Sequence, residues 1–199
     1  MKLHLRCVLL PFATLFCFTL FCQTAEGQGN NEKTGDWIWH TKKQQADEVF
    51  LRSVLKVSGP IKSANVATTS DNGFELFVNG EKVLSGNAWE RLETADLSKK
   101  LKQGKNVFAV RAFNQSGIAA FTLQADVIGN DGKKNRLVTN NKWKASPVSE
   151  SGWKTADFDD TAWANAEVMG KVGDGSLPWS REIKPVSYTH LTLPTILLV

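Results

Sequence analysis

The sequence predicts an all-β protein, built as an antiparallel β-sandwich with one or two very short helices. Short segments that alternate apolar and polar residues follow one another along the chain, and turn signals such as Asn79-Gly80 separate them. Only residues 97–104 (LSKKLKQG) and 159–167 (DDTAWANAE) are helix-like, and each covers a turn or two. Many short strands joined by tight turns are typical of a sandwich and not of a helical or mixed fold.

The first long strand pattern lies at residues 48–57, which read EVFLRSVLKV. Apolar residues occupy one parity, and the charged Arg52 and Lys56 occupy the other. This alternation predicts a half-buried strand with both cations outside the core. Small and β-branched residues at 64–68 indicate a second strand.

A hairpin is predicted within residues 70–86, SDNGFELFVNGEKVLSG. Asn79-Gly80 favours a two-residue type I′ turn, whose two central residues both need positive φ. Asp71-Asn72-Gly73 marks the turn that begins the first strand of the hairpin. The alternation sorts the strand residues into two faces, with Phe74, Leu76 and Val78 on one and Glu75 and Phe77 on the other.

Two later segments complete the predicted sheets. Residues 106–113, NVFAVRAF, are apolar on both parities except at Arg111, so they predict a central strand covered on two sides. Residues 121–127, FTLQADV, alternate cleanly. Their apolar members are expected to point inward: Phe121, Leu123, Ala125 and Val127.

The two ends of the chain differ from this central part. Residues 1–25 place Lys2 and Arg6 ahead of an apolar run that ends in small residues, which predicts a secretory signal peptide and a secreted or periplasmic protein, with no membrane span after leader removal. Residues 26–36 are polar and rich in Gly and Asn, as expected of a flexible linker. The folded domain is predicted at residues 37–185.

Residues 186–199 are interpreted as a non-native or disordered tail. From Ser187 they read SYTHLTLPTILLV, which holds the only tyrosine of the chain and resembles a translated sequencing-adaptor peptide. The alternative is a natural apolar terminal strand.

Composition excludes several classes of function. The 24 basic and 20 acidic residues give a net charge of +4, and removal of the leader halves it, which is too little to indicate nucleic-acid or anionic-lipid binding. All three cysteines lie in the leader, so no disulfide is expected. Outside the leader and tail the only histidine is His40, and no phosphate-binding or dinucleotide motif is present. The sequence therefore predicts no catalytic residue, metal site or cofactor.

One acidic cluster, Asp157, Asp159 and Asp160, allows three interpretations. Asp159 or Asp160 is placed to cap a short helix by accepting backbone N–H bonds, while Phe158 and Trp163 pack inward. Calcium binding is the second possibility, and a glycosidase carboxylate pair is the third. The spacing favours capping.

Taken together, the ordered segments WIW, ELFVNGEKV, ADLSKKLKQGKNVFAVRAFN, DGKKNRLVTNNKWKAS and GWKTADFDDTAWANAEV resemble the galactose-binding-like jelly roll. The nearest variants are the sugar-binding domain of family 2 glycoside hydrolases and the N-terminal domain of bacterial α-L-rhamnosidases. The resemblance implies a non-catalytic accessory module of a larger exported bacterial protein, which binds carbohydrate or docks a neighbouring domain. The catalytic or haem-binding part of such a parent lies outside this chain. Three tryptophans are expected to be core residues: Trp143, Trp153 and Trp163.

A sugar would be bound by a flat aromatic ring and a few polar groups in a loop cleft at one end of the sandwich. Trp89 and Asn87 follow the hairpin, and Arg111 and Asn114 lie near the end of the central strand, so these four are the candidate ligand-binding residues. For Arg111 the alternative is a partly buried arginine paired with an acidic neighbour. The possible partners are a polysaccharide or glycan and a neighbouring domain. Two other functions stay open, a structural spacer without a ligand and a glycoside hydrolase fragment that uses the Asp157–Asp160 cluster.

Overall fold

A computed structural model describes residues 35–41 and 47–179. The predicted signal peptide, most of the linker and the tail at 186–199 lie outside the described residues. Within them the chain forms twelve β-strands and no helix. The described residues contain no helix that is long and apolar enough to cross a bilayer. The strands in chain order are β1 (Asp36–Trp39), β2 (Glu48–Val57), β3 (Ile61–Asp71), β4 (Gly73–Val78), β5 (Glu81–Gly86), β6 (Glu93–Asp96), β7 (Gly104–Phe113), β8 (Ala120–Gly129), β9 (Lys134–Val138), β10 (Lys144–Ser146), β11 (Ala164–Asn165) and β12 (Glu167–Lys171).

The strands form two six-stranded antiparallel sheets, which confirms the predicted sandwich. The first sheet has the order β12-β1-β8-β3-β6, and β9 also pairs with β8. The second sheet has the order β11-β10-β2-β7-β4-β5. Strand β7 lies between β2 and β4, as its two apolar parities predict. Both β2 and β4 pair with β7 along nearly their whole length.

The main core lies between the two sheets. Phe121 on β8 meets Phe74 on β4 edge-to-face, with ring centroids 5.9 Å apart, and it also contacts Trp143 at 6.2 Å. The four predicted inward residues of β8 all belong to this core. Trp143 is fully buried there, whereas Trp153 and Trp163 are buried in a second cluster on the outer face of the second sheet. All three tryptophans are therefore core residues, as expected.

The predicted hairpin is confirmed, and the turn is tied to the central strand. Asn79 and Gly80 have φ angles of 52° and 92°, and Val78 pairs with Glu81 across the turn. The side-chain carbonyl of Asn79 accepts a bond from the Val107 amide at 3.0 Å, and the Asn79 amide donates to the Val107 carbonyl at 2.9 Å. These two bonds fix the position of the hairpin relative to β7.

The one or two very short helices expected from the sequence are absent from the described residues, so this part of the prediction is wrong. In segment 97–104 the Leu101 amide closes a single turn on the Leu97 carbonyl at 3.0 Å. The side chain of Asn106 then bonds both the amide and the carbonyl of Lys102, at 2.9 and 2.7 Å, and takes the backbone groups that a second turn needs. Segment 159–167 likewise forms one turn, closed by the Trp163 amide on the Asp160 carbonyl at 3.1 Å. One turn alone does not offset the cost of helix nucleation.

Strand β2 is confirmed, but the expectation that Arg52 lies outside the core needs correction. Arg52 does point away from the main core, yet it is only 1% exposed. Residues 149–163, which we call the covering segment, pack over it. The outer face of the second sheet is thus covered at this position.

Candidate functional site

Several strand ends meet at one end of the sandwich. Phe113 at the end of β7 pairs with both Glu48 and Gly73, and Asp71 at the end of β3 pairs with Ala120. We call this region, residues 47–48, 71–75, 86–93 and 111–119, the acidic end. It holds six Asp and Glu residues against two arginines.

A shallow groove of about 490 Å³ lies at the acidic end, on the outer face of the second sheet beside β4 and β5. Its walls combine carboxylates, cations, other polar groups and aromatic rings. The lining includes Glu75, Glu93, Lys82, Arg111, Ser85, Asn87, Phe74 and Phe113.

A chain of ion pairs crosses the groove. Arg111 donates through Nε to Glu48 and through Nη1 to Glu75 at 3.4 Å. The Lys82 ammonium donates to the other oxygen of Glu75 at 2.6 Å. The Lys82 hydrogen bond, aided by Arg111, holds the pKa of Glu75 below its ordinary value. Glu75 is therefore ionised at neutral pH, and opposite charges alternate along the groove.

Two glycines let aromatic rings lie directly against the backbone beside the groove. A Cβ added at Gly73 would lie 2.5 Å from the Phe113 ring, and one at Gly86 would lie 2.7 Å from the Phe74 ring. Both distances are far below a normal carbon–carbon contact, so any side chain here would displace a ring. The groove therefore depends on glycine at both positions.

The structure brings two of the four candidate residues together. Asn87 and Arg111 both line the groove. Trp89 instead is half-buried and packs against a cluster with Trp37 and Trp179. Asn114 is 9% exposed, and its Nδ2 donates to the Gly117 carbonyl at 3.3 Å. All four lie at the acidic end, and a role of any of them in ligand binding stays a prediction.

Sequence reasoning missed the carboxylates of the groove. Glu75 pairs directly with Arg111 across β4 and β7, and Glu48 sits at the other side of the same arginine. The sequence pattern does place Glu75 and Arg111 on the outer sides of two strands. It indicates an ion pair between them only once β4 is known to pair with β7. The alternative proposed for Arg111 is confirmed in its acidic partners, but the expectation of partial burial is wrong, because the side chain is exposed.

The Asp157–Asp160 cluster has a structural arrangement away from the groove. Asp159 accepts the Thr161 amide at 3.0 Å, and this bond lowers the pKa of Asp159. Asp159 therefore accepts a backbone N–H bond as predicted, but the expected helix cap is wrong, since the bond lies in a turn and no helix follows. Asp160 forms an ion pair with Arg52 at 2.9 Å, and Asp157 is exposed. Among residues 35–41 and 47–179, no group of three or more His, Cys, Asp or Glu side chains is placed to hold a metal ion.

No protein-family model and no curated protein matches this chain. Among solved structures, it is similar to the α-L-rhamnosidase of Streptomyces avermitilis complexed with L-rhamnose, with a TM-score of 0.70 and 26% identity over 76% of this chain. It is also similar to the Pleurotus ostreatus lectin, in the apo form and in complex with GalNAc, with a TM-score of 0.64 and 26% identity over 73% of this chain in both.

The fold is a galactose-binding-like jelly roll. This confirms the family resemblance seen in the sequence. The jelly roll spans 16% of the rhamnosidase and 43% of the apo lectin, so it corresponds to one domain of each. The similarity therefore supports a carbohydrate-binding or accessory module.

Proposed function

We propose that this jelly roll is a non-catalytic carbohydrate-binding module of a larger exported protein, and that it binds a neutral glycan in the groove of the acidic end. The observation that carries the proposal is the polar groove on a domain 26% identical to a lectin whose structure was determined in complex with GalNAc. The leader-like residues 1–25 support export. The small share of the rhamnosidase that the domain spans supports an accessory role.

The groove has the groups that sugar hydroxyls need. Carboxylates of Glu75 and Glu93 accept hydrogen bonds from hydroxyl groups, while Arg111 donates to them, and the Asn87 amide does both. The ring of Phe113 offers an apolar edge for the C–H face of a pyranose. Since each cation in the groove already has a carboxylate partner, the groove suits a neutral sugar better than an acidic one.

The ion pairs also hold the groove in shape before a ligand arrives. Arg111 is held from both sides by carboxylates, and Glu75 is held by both Lys82 and Arg111. Side chains that are already fixed lose little conformational entropy on binding. A small, shallow groove can therefore bind with useful affinity.

The test is calorimetric titration of the full chain with GalNAc, L-rhamnose and neutral oligosaccharides. Arg111→Ala and Asn87→Ala are each expected to weaken binding roughly tenfold, the effect of losing one or two hydrogen bonds to the ligand. Lys142→Ala, outside the groove, is the control and should bind as the native chain does.

Two results would contradict the proposal. Failure of the folded chain to bind any neutral glycan would favour the structural-spacer alternative. Binding that survives both groove variants but is lost in Trp89→Ala would move the site to the neighbouring loop.

A further inference from the structure

The end of the sandwich opposite the groove is strongly basic. We call residues 56–62, 79–81, 96–105 and 129–134 the basic end. It carries eight lysines, all exposed, against three carboxylates. The lysines are Lys56, Lys62, Lys99, Lys100, Lys102, Lys105, Lys133 and Lys134.

Hydrogen bonds join these four segments into one surface. Gln103 Nε2 donates to the Ser58 carbonyl at 3.3 Å, and the Asn130 amide donates to the Pro60 carbonyl at 2.9 Å. Asn79 Nδ2 reaches the Lys100 carbonyl at 3.2 Å. The lysines of these separate segments are therefore held at one end of the fold.

The three carboxylates of the basic end are already engaged. Glu81 pairs with Lys100, Asp131 pairs with Lys133 at 3.1 Å, and Asp96 accepts the Ser98 amide at 2.7 Å. Six lysines make no salt bridge within the described residues, namely Lys56, Lys62, Lys99, Lys102, Lys105 and Lys134. These six leave an excess of positive charge on the surface.

One pair of lysines lies in an arrangement that costs stability. Lys56 on β2 is directly opposite Lys105 on β7, and both side chains are on the outer face. Like charges directly opposite each other on neighbouring strands repel. Lys105 turns its ammonium to the Ala156 carbonyl at 2.7 Å, which leaves that of Lys56 without an anionic partner among the described residues. An anionic ligand would remove this repulsion.

We propose that the basic end binds an acidic polysaccharide, through the carboxylate or sulfate groups spaced along its chain. Several lysines on separate segments of the chain present point charges over a surface, which suits a polymer with repeated anionic groups. The site is separate from the groove, so this proposal does not depend on the proposed function.

The composition of the basic end argues against other polyanions. Its four segments hold no aromatic residue on which nucleic-acid bases could stack. They hold no arginine, the residue that recognises phosphate through two parallel hydrogen bonds. None of the exposed large apolar side chains, Val54, Ile118 and Val148, belongs to it, so nothing there would insert into a lipid surface.

The test is binding of the full chain to polygalacturonate and to dextran sulfate at low ionic strength, with uncharged dextran as the reference. Lys56→Gln with Lys102→Gln should weaken binding roughly threefold or more, because each lost ion pair contributes a few tenths to 1 kcal/mol. Lys142→Gln with Lys171→Gln removes the same charge elsewhere on the surface and should leave binding unchanged. Added salt should abolish binding of the native chain.

Further measurements separate binding from folding. The basic-end double variant should melt at the native temperature or above it, since a repulsive pair is gone. Lys62→Gln with Lys134→Gln is a second variant with the same expected loss. Arg111→Ala should bind the polyanions as the native chain does, even where it loses neutral glycans.

Three outcomes would overturn the proposal. The first is that the native chain fails to bind either polyanion at low salt. The second is that the control, Lys142→Gln with Lys171→Gln, weakens binding as much as the basic-end double variants do. The third is tighter binding to single-stranded DNA or to anionic phospholipid vesicles than to polygalacturonate.

Discussion

Two arginines on one face of the second sheet have opposite surroundings. Phe50 on β2 is directly opposite Arg111 on β7, and Arg52, two residues further along β2, points to the same side. Arg52 is 1% exposed, whereas the side chain of Arg111 is 46% exposed. The covering segment lies over the first and leaves the second open. The same residue type therefore has a structural role in one half of the face and is accessible to a ligand in the other.

The covered half is an aromatic layer around Trp153. This ring meets Phe50 and Phe77 edge-on, at centroid distances of 5.2 and 5.9 Å, and lies 6.4 Å from Trp163. Trp163 also donates through Nε1 to Glu150 at 2.7 Å. The covering segment thus packs on the sheet as a second small core.

The side chain of Arg52 holds the covering segment in place by binding the backbone of that segment. Its guanidinium donates to the carbonyls of Trp153 and of Thr155, the latter at 3.1 Å, and to the Asp160 carboxylate at 2.9 Å. The ring of Phe158 lies 5.0 Å from the guanidinium carbon. A single buried cation therefore satisfies several backbone and side-chain acceptors of the segment.

Among the substitutions considered for the two halves of this face, replacing Arg52 should lower the free energy of unfolding most. Arg52→Ala leaves buried carbonyls and a carboxylate without their donor, so we expect the free energy of unfolding to fall by about 3–5 kcal/mol. Urea unfolding followed by tryptophan fluorescence measures this loss. A decrease no larger than that of Arg111→Ala would show that the two arginines have equivalent roles.

Asp160→Asn should have a smaller effect at the same contact. The amide keeps the shape and one acceptor but loses the charge, and Asp160 is partly open to water, so about 1 kcal/mol is expected. Asp157→Asn is the matched control from the same loop and should leave stability unchanged, because Asp157 is exposed. Equal losses in both variants would contradict a specific ion pair with Arg52.

Much of the fold follows from local sequence patterns. The alternation of residues 48–57 and the Asn79-Gly80 turn each specify their strands through neighbours close in sequence, and the structure confirms them. Other features depend on distant residues. Burial of Arg52 requires the covering segment about a hundred residues later. Trp89 packs against a cluster that contains Trp179, near the other end of the described chain.

The separation of charge between the two ends of the sandwich cannot be predicted from the composition. The whole chain has a net charge of only +4, yet the acidic end and the basic end each hold a large excess of one sign. Strand register brings these residues to opposite ends, and register is a long-range property. For the same reason the sequence indicates only the general region of the groove, just past the hairpin around Asn87 and Trp89, and Trp89 does not line the groove.

Arg111→Ala should change binding far more than stability. Its ion pairs with Glu48 and Glu75 are largely exposed, and exposed pairs contribute roughly 0–1 kcal/mol. We expect the free energy of unfolding to change by about 0.5 kcal/mol or less, together with the tenfold loss of glycan affinity expected for the groove. Arg111→Lys keeps the charge but not the two-sided hydrogen bonding, so it should restore stability and only part of the affinity. A loss of stability close to that of Arg52→Ala would mean that Arg111 has a structural role.

The smallest expected effect is a pH dependence of stability that arises from Glu75, beside the exposed Arg111. Because the Lys82 hydrogen bond and Arg111 lower the pKa of Glu75 in the folded protein, the ionised carboxylate stabilises the fold. This contribution is fully present above the ordinary value of 4.5 and is lost as the pH falls through the lower pKa of the folded state. Glu75→Gln removes it, so the difference in melting temperature between the native chain and the variant should be constant from pH 7 to about pH 5 and shrink below that. A difference in melting temperature that grows on acidification would mean that the neighbours of Glu75 destabilise its ionised form and do not stabilise it.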